Sequence, residues 1–241
     1  MPGLGVRLAV EHTPVTRMLA CSHLPAHAKQ AYPGVEAEGP MLGRILVLVV
    51  ALLGAACGAS AAELVGKVVS QDGKALVLRG PQIATLEVGA SLFVDDEVRT
   101  AADGRVVIES DDGVRLVIGS ATEMKLARWE ADRPKRRLDA VISLVTGVMR
   151  LIGRETGGER QLRVESRAAV ASVRSTEWLV EATGVGMGVF VIEGSVAVAS
   201  PAGEVTLAAG QGTEAVLGAA PTAPAPWSAA RLERVLARVP N

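Results

Sequence analysis

Residues 162–216 read LRVESRAAVASVRSTEWLVEATGVGMGVFVIEGSVAVASPAGEVTLAAGQGTEAV. The run breaks into short apolar segments separated by glycine turns, the pattern of successive strands. Leu162 and Val164 fall on one face, with Arg163 and Glu165 on the other. Val189-Phe190-Val191-Ile192 is apolar on both faces, which predicts a central strand covered on both sides. Gly186 and Gly188 precede it on one face and predict a bulge or the close approach of another backbone, for which packing is a better reason than a ligand. Glu193-Gly194 and Ala202-Gly203 supply the positive-φ residue that a tight turn needs. The stretch contains no His, Cys or Tyr.

The same device recurs upstream. Asp72-Gly73 lies between LVGKVVS and ALVLRG and predicts a hairpin. Asp103-Gly104 precedes RVVIES, and Asp112-Gly113 joins that run to VRLVIGS, in which Val114, Leu116 and Ile118 share a face opposite Arg115. Strand candidates thus arrive about every 8–12 residues, as in sandwiches, barrels and solenoids. The 241 residues are 49% hydrophobic but only 2% aromatic, so Val, Ala, Leu and Gly must fill the core. The fold class is all-β, many short strands in a solenoid-like or sandwich stack, with a short C-terminal helix. A net charge of −1 offers no field for nucleic acid.

The middle, KLARWEADRPKRRLDAVISLVTGVMRLI, carries Arg133-Pro134-Lys135-Arg136-Arg137. This cluster reads either as a patch for an anionic partner or as a solvated loop between two strands. The loop is the better fit, because Asp132 and Asp139 flank it and no aromatic platform interleaves it. Residues 218–226 are a Pro/Ala linker, expected to be stiff and extended. Residues 227–239 predict a short amphipathic helix, with Ser228 as N-cap and Leu232, Val235, Leu236 and Val239 at helical spacing. So short a helix is marginal alone. It docks either on its own domain through Trp227 or on another protein.

Near the start, residues 41–62 form a secretory leader by pattern: Arg44, an apolar run from Ile45 to Ala56, then small residues around Ala59-Ser60-Ala61. The run is shorter than the roughly 20 residues of a spanning helix. Cleavage near Ala61/Ala62 would give a periplasmic or secreted protein. Residues 1–40, with His12, His23, His27 and Cys21, read as a mis-assigned start or an extension. Cys57 offers a rival fate, lipidation, although Leu53 stands one place too far from it for the usual motif. A membrane partner is expected only if Cys57 is lipidated. A chain cut at Ala62 has no cysteine left for a disulfide.

The strand region, residues 63–217, resembles the FecR domain family. Leu86, Gly89, Asp96, Val98, Thr100, Asp112, Gly113 and Thr122 take the places of its first-half motifs, with Asp95 where the family has glycine. Ala169, Val173, Arg174, Thr176, Glu193, Gly194, Val196, Gly210 and Gln211 match its second half, while Ser175 replaces a glycine and Trp178 a phenylalanine. Full-length FecR-type regulators join a cytoplasmic anti-sigma segment and a membrane helix to this periplasmic domain. This chain is similar instead to stand-alone secreted members, so the resemblance implies an all-β module and no iron-transport role.

After Cys57 there is no His, Cys or Tyr, so an enzyme would have to work with Asp, Glu, Ser, Thr, Lys or Arg alone. Asp95-Asp96-Glu97 and Asp111-Asp112 supply carboxylates, but they sit in turns and lack the spacing of a calcium loop. We therefore expect no catalytic residue, cofactor or metal. The expected role is a binding or signal-transduction module engaging an unidentified envelope protein or cell-wall ligand. The alternative is an assembly protein that self-associates through strand edges. The contact surface expected is the Arg174-Ser175-Thr176 turn with Trp178; the competing reading of Trp178 is that it fills the phenylalanine core slot.

Overall fold

Alternation of apolar and polar residues is realised as sixteen strands in a computed structural model that describes residues 62–153, 158–173 and 177–240. The leader, its Cys57 alternative and residues 1–40 lie outside the described residues. Hydrogen bonding links all the strands into one continuous sheet that folds over into two layers with a shared core. In the first layer the order is β4 (Ser91–Phe93), β1 (Leu64–Asp72), β6 (Arg105–Glu109), β7 (Val114–Ile118), β9 (Arg137–Gly153), β12 (Glu177–Ala182), β13 (Gly186–Glu193) and β16 (Gly212–Val216). The second runs β3 (Gln82–Thr85), β2 (Ala75–Arg79), β5 (Glu97–Thr100), β8 (Glu123–Asp132), β9 again, β10 (Glu159–Glu165), β11 (Val170–Val173), β14 (Ser195–Ser200) and β15 (Gly203–Ala208). This is the expected all-β stack.

Strand β9, 17 residues long, belongs to both layers. Its first half pairs with β8 and, in parallel, with β10; its second half pairs with β7 and β12. The switch falls at Gly147, where φ is +107°. A Cβ there would lie 2.2 Å from Thr122 Oγ1, so only glycine fits. Thr122 Oγ1 accepts the Val148 N–H at 3.0 Å, and Thr100 Oγ1 donates to Gly119 O at 2.6 Å while accepting the Thr122 N–H at 2.9 Å. Two buried hydroxyls thus satisfy backbone groups that the switch takes out of the ladder.

Two turn expectations separate here. Asp112-Gly113 and Ala202-Gly203 do close hairpins, β6–β7 and β14–β15. Asp72-Gly73 does not: β1 pairs with β4 and β6, whereas β2 pairs with β3 and β5, so this turn carries the chain between layers. Gly73 (φ +62°) abuts Asp103 O, leaving no room for a Cβ.

Strand β13 is covered on both faces, as its sequence predicts. Val189 and Val191 point into the main core, whereas Phe190 joins Val107, Val117, Val148 and Leu179 on the outside of the first layer. Helix α1 (Ala229–Arg238) lies over that outer face and contributes Val235; Val239, just after it, joins the same cluster. Ser228 caps it, its side chain accepting the Arg231 N–H. The helix therefore docks on its own domain. The preceding segment is held along β16: Thr222 N–H donates to Glu214 O at 2.9 Å, and Ala225 and Gly212 exchange backbone bonds.

Candidate functional site

Of the four residues expected to form a contact surface, Arg174, Ser175 and Thr176 lie outside the described residues. Trp178 is a correction. It is fully buried, and with Val180 and Ala182 it forms the inward row of β12 in the main core. The period of two that sends Leu179 outward under the helix sends Trp178 inward, so it fills the core slot and presents no aromatic to a partner.

The family-motif residues of the first half are also internal. Asp96 has no exposed surface. Its carboxylate accepts the Phe93 N–H at 2.9 Å and two guanidinium bonds from Arg79, each 2.7 Å. These bonds hold the Arg79 guanidinium above its ordinary pKa. Arg79 also lies over the Phe93 ring, 4.5 Å from its centroid. Asp95, at the family's glycine position, takes φ +72°. The group is a closed structural hub.

A second polar hub, at the end where the β6–β7 turn meets the β8–β9 turn, is open. Strand β10 alternates, and its inward row is Arg160, Leu162, Val164. A guanidinium therefore sits where the pattern calls for an apolar side chain. Arg160 is 7% exposed, and burial lowers its pKa, opposed by the charge of Asp112. It reaches across the layers to donate to the Asp112 backbone carbonyl. Asp112 also accepts Trp129 Nε1–H at 3.2 Å on one carboxylate oxygen and Arg133 Nε–H at 3.3 Å on the other.

Trp129 can reach this point because a bulge between Leu126 and Arg128 shifts the phase of β8, turning Trp129 inward instead of Arg128. The β8–β9 turn then supplies Arg133, Arg136 and Arg137. Arg136 adopts φ +52°. These arginines and Arg160 surround a cavity of about 290 Å³ with Asp111 and Asp112 on its wall and Leu138 beside them.

The loop reading of residues 133–137 is correct locally: the turn is exposed, Lys135 pairs with Asp132 at 2.9 Å, and Arg137 pairs with Glu159 at 3.3 Å. The Lys135 hydrogen bond lowers the Asp132 pKa. What sequence reasoning missed is Arg160. Its signal was present, a charge on the apolar face of an alternating strand.

The C-terminal segment makes a third cluster. Arg231 stacks on Trp227 at 3.7 Å and pairs with Glu214 and, at 3.1 Å, with Glu181. Burial depresses the Arg231 pKa, and the bonds to Glu214 and Glu181 more than reverse this. Trp227 lies 5.2 Å from Phe190. A Cβ at Gly188 would come within 2.6 Å of the Arg231 guanidinium, so the close approach at Gly188 is a helix side chain, whereas a Cβ at Gly186 would make only ordinary contact, with Thr183 and Ala215. Among the described residues, no group of three or more His, Cys, Asp or Glu is arranged to hold a metal. No described helix is long and apolar enough to cross a membrane.

A family model described as FecR protein matches residues 96–197. No curated protein matches the chain. Among solved structures, two crystal structures of a candidate anti-sigma factor from Parabacteroides distasonis are similar, each with 17% identity and a TM-score of 0.46. Each match covers 57% of this chain and 62% of that one, so the chain spans less than two thirds of the length of that protein. The family match contains Asp96, Thr100, Thr122 and the Arg160 hub, and it ends before helix α1. Residues 96–197, from the β4–β5 turn to the middle of β14, are therefore a FecR-family domain.

Proposed function

We propose that this chain is a non-enzymatic signal-transduction module of the bacterial envelope, working by binding an envelope protein or cell-wall ligand. The observation that carries this reading is the FecR match over residues 96–197. Support comes from side-chain chemistry: the described strands hold no His, Cys or Tyr, and the buried carboxylate Asp96 is fully engaged by Arg79 and Phe93. The intact mass of protein purified from its own envelope fraction, followed by crosslinking in cells, tests it. A chain starting near Ala62, crosslinked to an envelope component, is the expected result. A chain retaining residues 1–40 and recovered from the cytosol would overturn the envelope reading.

One observation favours self-assembly as a second reading. Edge strand β3, paired only with β2, is uncharged and exposed along its whole length. Ile83 is 68% exposed and faces Leu78 across the pair. Uncharged, apolar edges invite strand addition. Sedimentation of the purified chain distinguishes the readings: concentration-dependent association abolished by Ile83→Lys supports assembly, and a monomer at all concentrations removes it.

A further inference from the structure

We infer that the C-terminal segment, residues 219–239, exchanges between two copies of the chain, giving a twofold dimer in which each segment straps the first layer of the other copy. The hinge is the turn from Val216 to Ala219. Ala219 N–H donates to Val216 O at 3.0 Å, and Gly218, the third residue of the turn, takes φ +82°. The turn sends residues 222–225 back along β16, antiparallel. Thr222 N–H donates to Glu214 O at 2.9 Å, and Ala225 and Gly212 exchange backbone bonds. With the turn extended, β16 runs straight on, and the same bonds form with β16 of a second copy.

The surface under the strap fits this segment in shape and charge. Phe190, Leu179 and Val148 pack with Val235, while Glu181 and Glu214 pair with Arg231. The identical segment of a second copy meets that surface equally well. Lifting the strap gives up little core, because Val235 is the buried residue of α1. The hinge supplies the gain. Val216 and Leu217 are each more than half exposed, and so is Val185, whose carbonyl accepts the Leu217 N–H at 2.9 Å. In the dimer the two hinges run side by side at the twofold axis, and these apolar side chains bury one another, which the closed monomer does not allow. Pro221, Pro224 and Pro226 keep the strap extended as it crosses. This surface is distinct from the β3 edge, and the inference goes beyond the proposed envelope role.

The test is sedimentation of the full chain carrying Cys21→Ser and Cys57→Ser, with and without Gly218→Val. A Cβ at Gly218 has nothing within 4 Å, so valine meets no clash there; it strains the positive-φ turn and favours the extended hinge. At about tenfold per hinge, and two hinges per dimer, the Gly218→Val dimer should be about a hundredfold tighter. The paired substitutions Thr213→Cys and Thr222→Cys report exchange, because these hydroxyls lie 3.1 Å apart. Their disulfide closes within one chain in a monomer and between chains in an exchanged dimer. Gly218→Val with this pair should give a covalent dimer on a non-reducing gel. The chain without valine, oxidised while dilute, should be locked as a monomer at every concentration. A folded Gly218→Val protein that stays monomeric overturns the inference, and so does a dimer whose disulfides are all intrachain. If valine unfolds the chain, the paired-cysteine protein without it decides: oxidation at about 1 mM should link some chains, and intrachain disulfides alone overturn the inference.

Discussion

Two arginine–aspartate hubs stand in different parts of this domain, and they differ in how far they are closed off. At the first, one carboxylate, Asp96, is buried completely and takes three donors: two from Arg79 and one from the Phe93 backbone. One guanidinium meets its charge, and three hydrogen bonds engage its oxygens. At the second, Asp112 is equally well used, but the group lines an open cavity of about 290 Å³. A balanced hub holds structure together. One that lines an opening is reached by solvent, which screens its charges and weakens each pair. The same residue types serve both, so burial, not composition, separates them.

The largest effect should come from breaking the balanced hub. Arg79→Ala removes a half-exposed side chain, yet it strands a buried carboxylate with a single backbone donor. Truncating one partner of a buried pair leaves an uncompensated charge and should cost about 3 kcal/mol. Urea denaturation measures this as a fall in midpoint at constant slope. A cost of a few tenths would mean that water reaches Asp96 and that the hub is not closed.

The next effect sharpens the contrast. Arg160→Met keeps the length of a buried side chain and removes its charge. Asp112 keeps Arg133 and Trp129, so stability should change by no more than about 1 kcal/mol, in either direction. If Arg160→Met instead unfolds the chain as Arg79→Ala does, the two hubs are alike and the second is structural too.

Much of this architecture is legible from residue order alone. Alternation placed Val114, Leu116 and Ile118, and likewise Leu162 and Val164, in the core, and the doubly apolar Val189–Ile192 run identified a strand covered on both sides. The turns were legible as turns but not as topology. Asp72-Gly73 and Asp112-Gly113 look the same, and both glycines take positive φ, but one changes layers and the other closes a hairpin. That choice depends on which strands pair at a distance, and a local signal does not contain it. Trp178 was readable as surface or core, and only the phase of β12 against the helix-covered face resolves it. The second hub was hidden for a different reason. Its parts come from two turns and three strands, separated by up to 49 positions, from Asp111 to Arg160, and the bulge that swings Trp129 into place shifts a period that sequence reading assumes constant.

The smallest predicted effect lies beside the balanced hub and has the opposite sign. Asp95 occupies a left-handed position, φ +72°, where the family pattern has glycine. Its carboxylate pairs with Lys125 at 2.7 Å, but both side chains are well exposed, and such pairs contribute little. Glycine at this position removes the conformational penalty and gives up only that surface pair. Against this, glycine adds backbone freedom to the unfolded chain, which offsets part of the gain. Asp95→Gly should therefore stabilise the domain by about 0.5 kcal/mol, read as a higher urea midpoint. Because Asp95 precedes Asp96 directly, the gain should disappear in the Arg79→Ala background if that variant loosens the turn, and should add independently if the turn holds without its arginine. The double variant thus reports whether the Arg79–Asp96 bonds fix the turn or merely fill it.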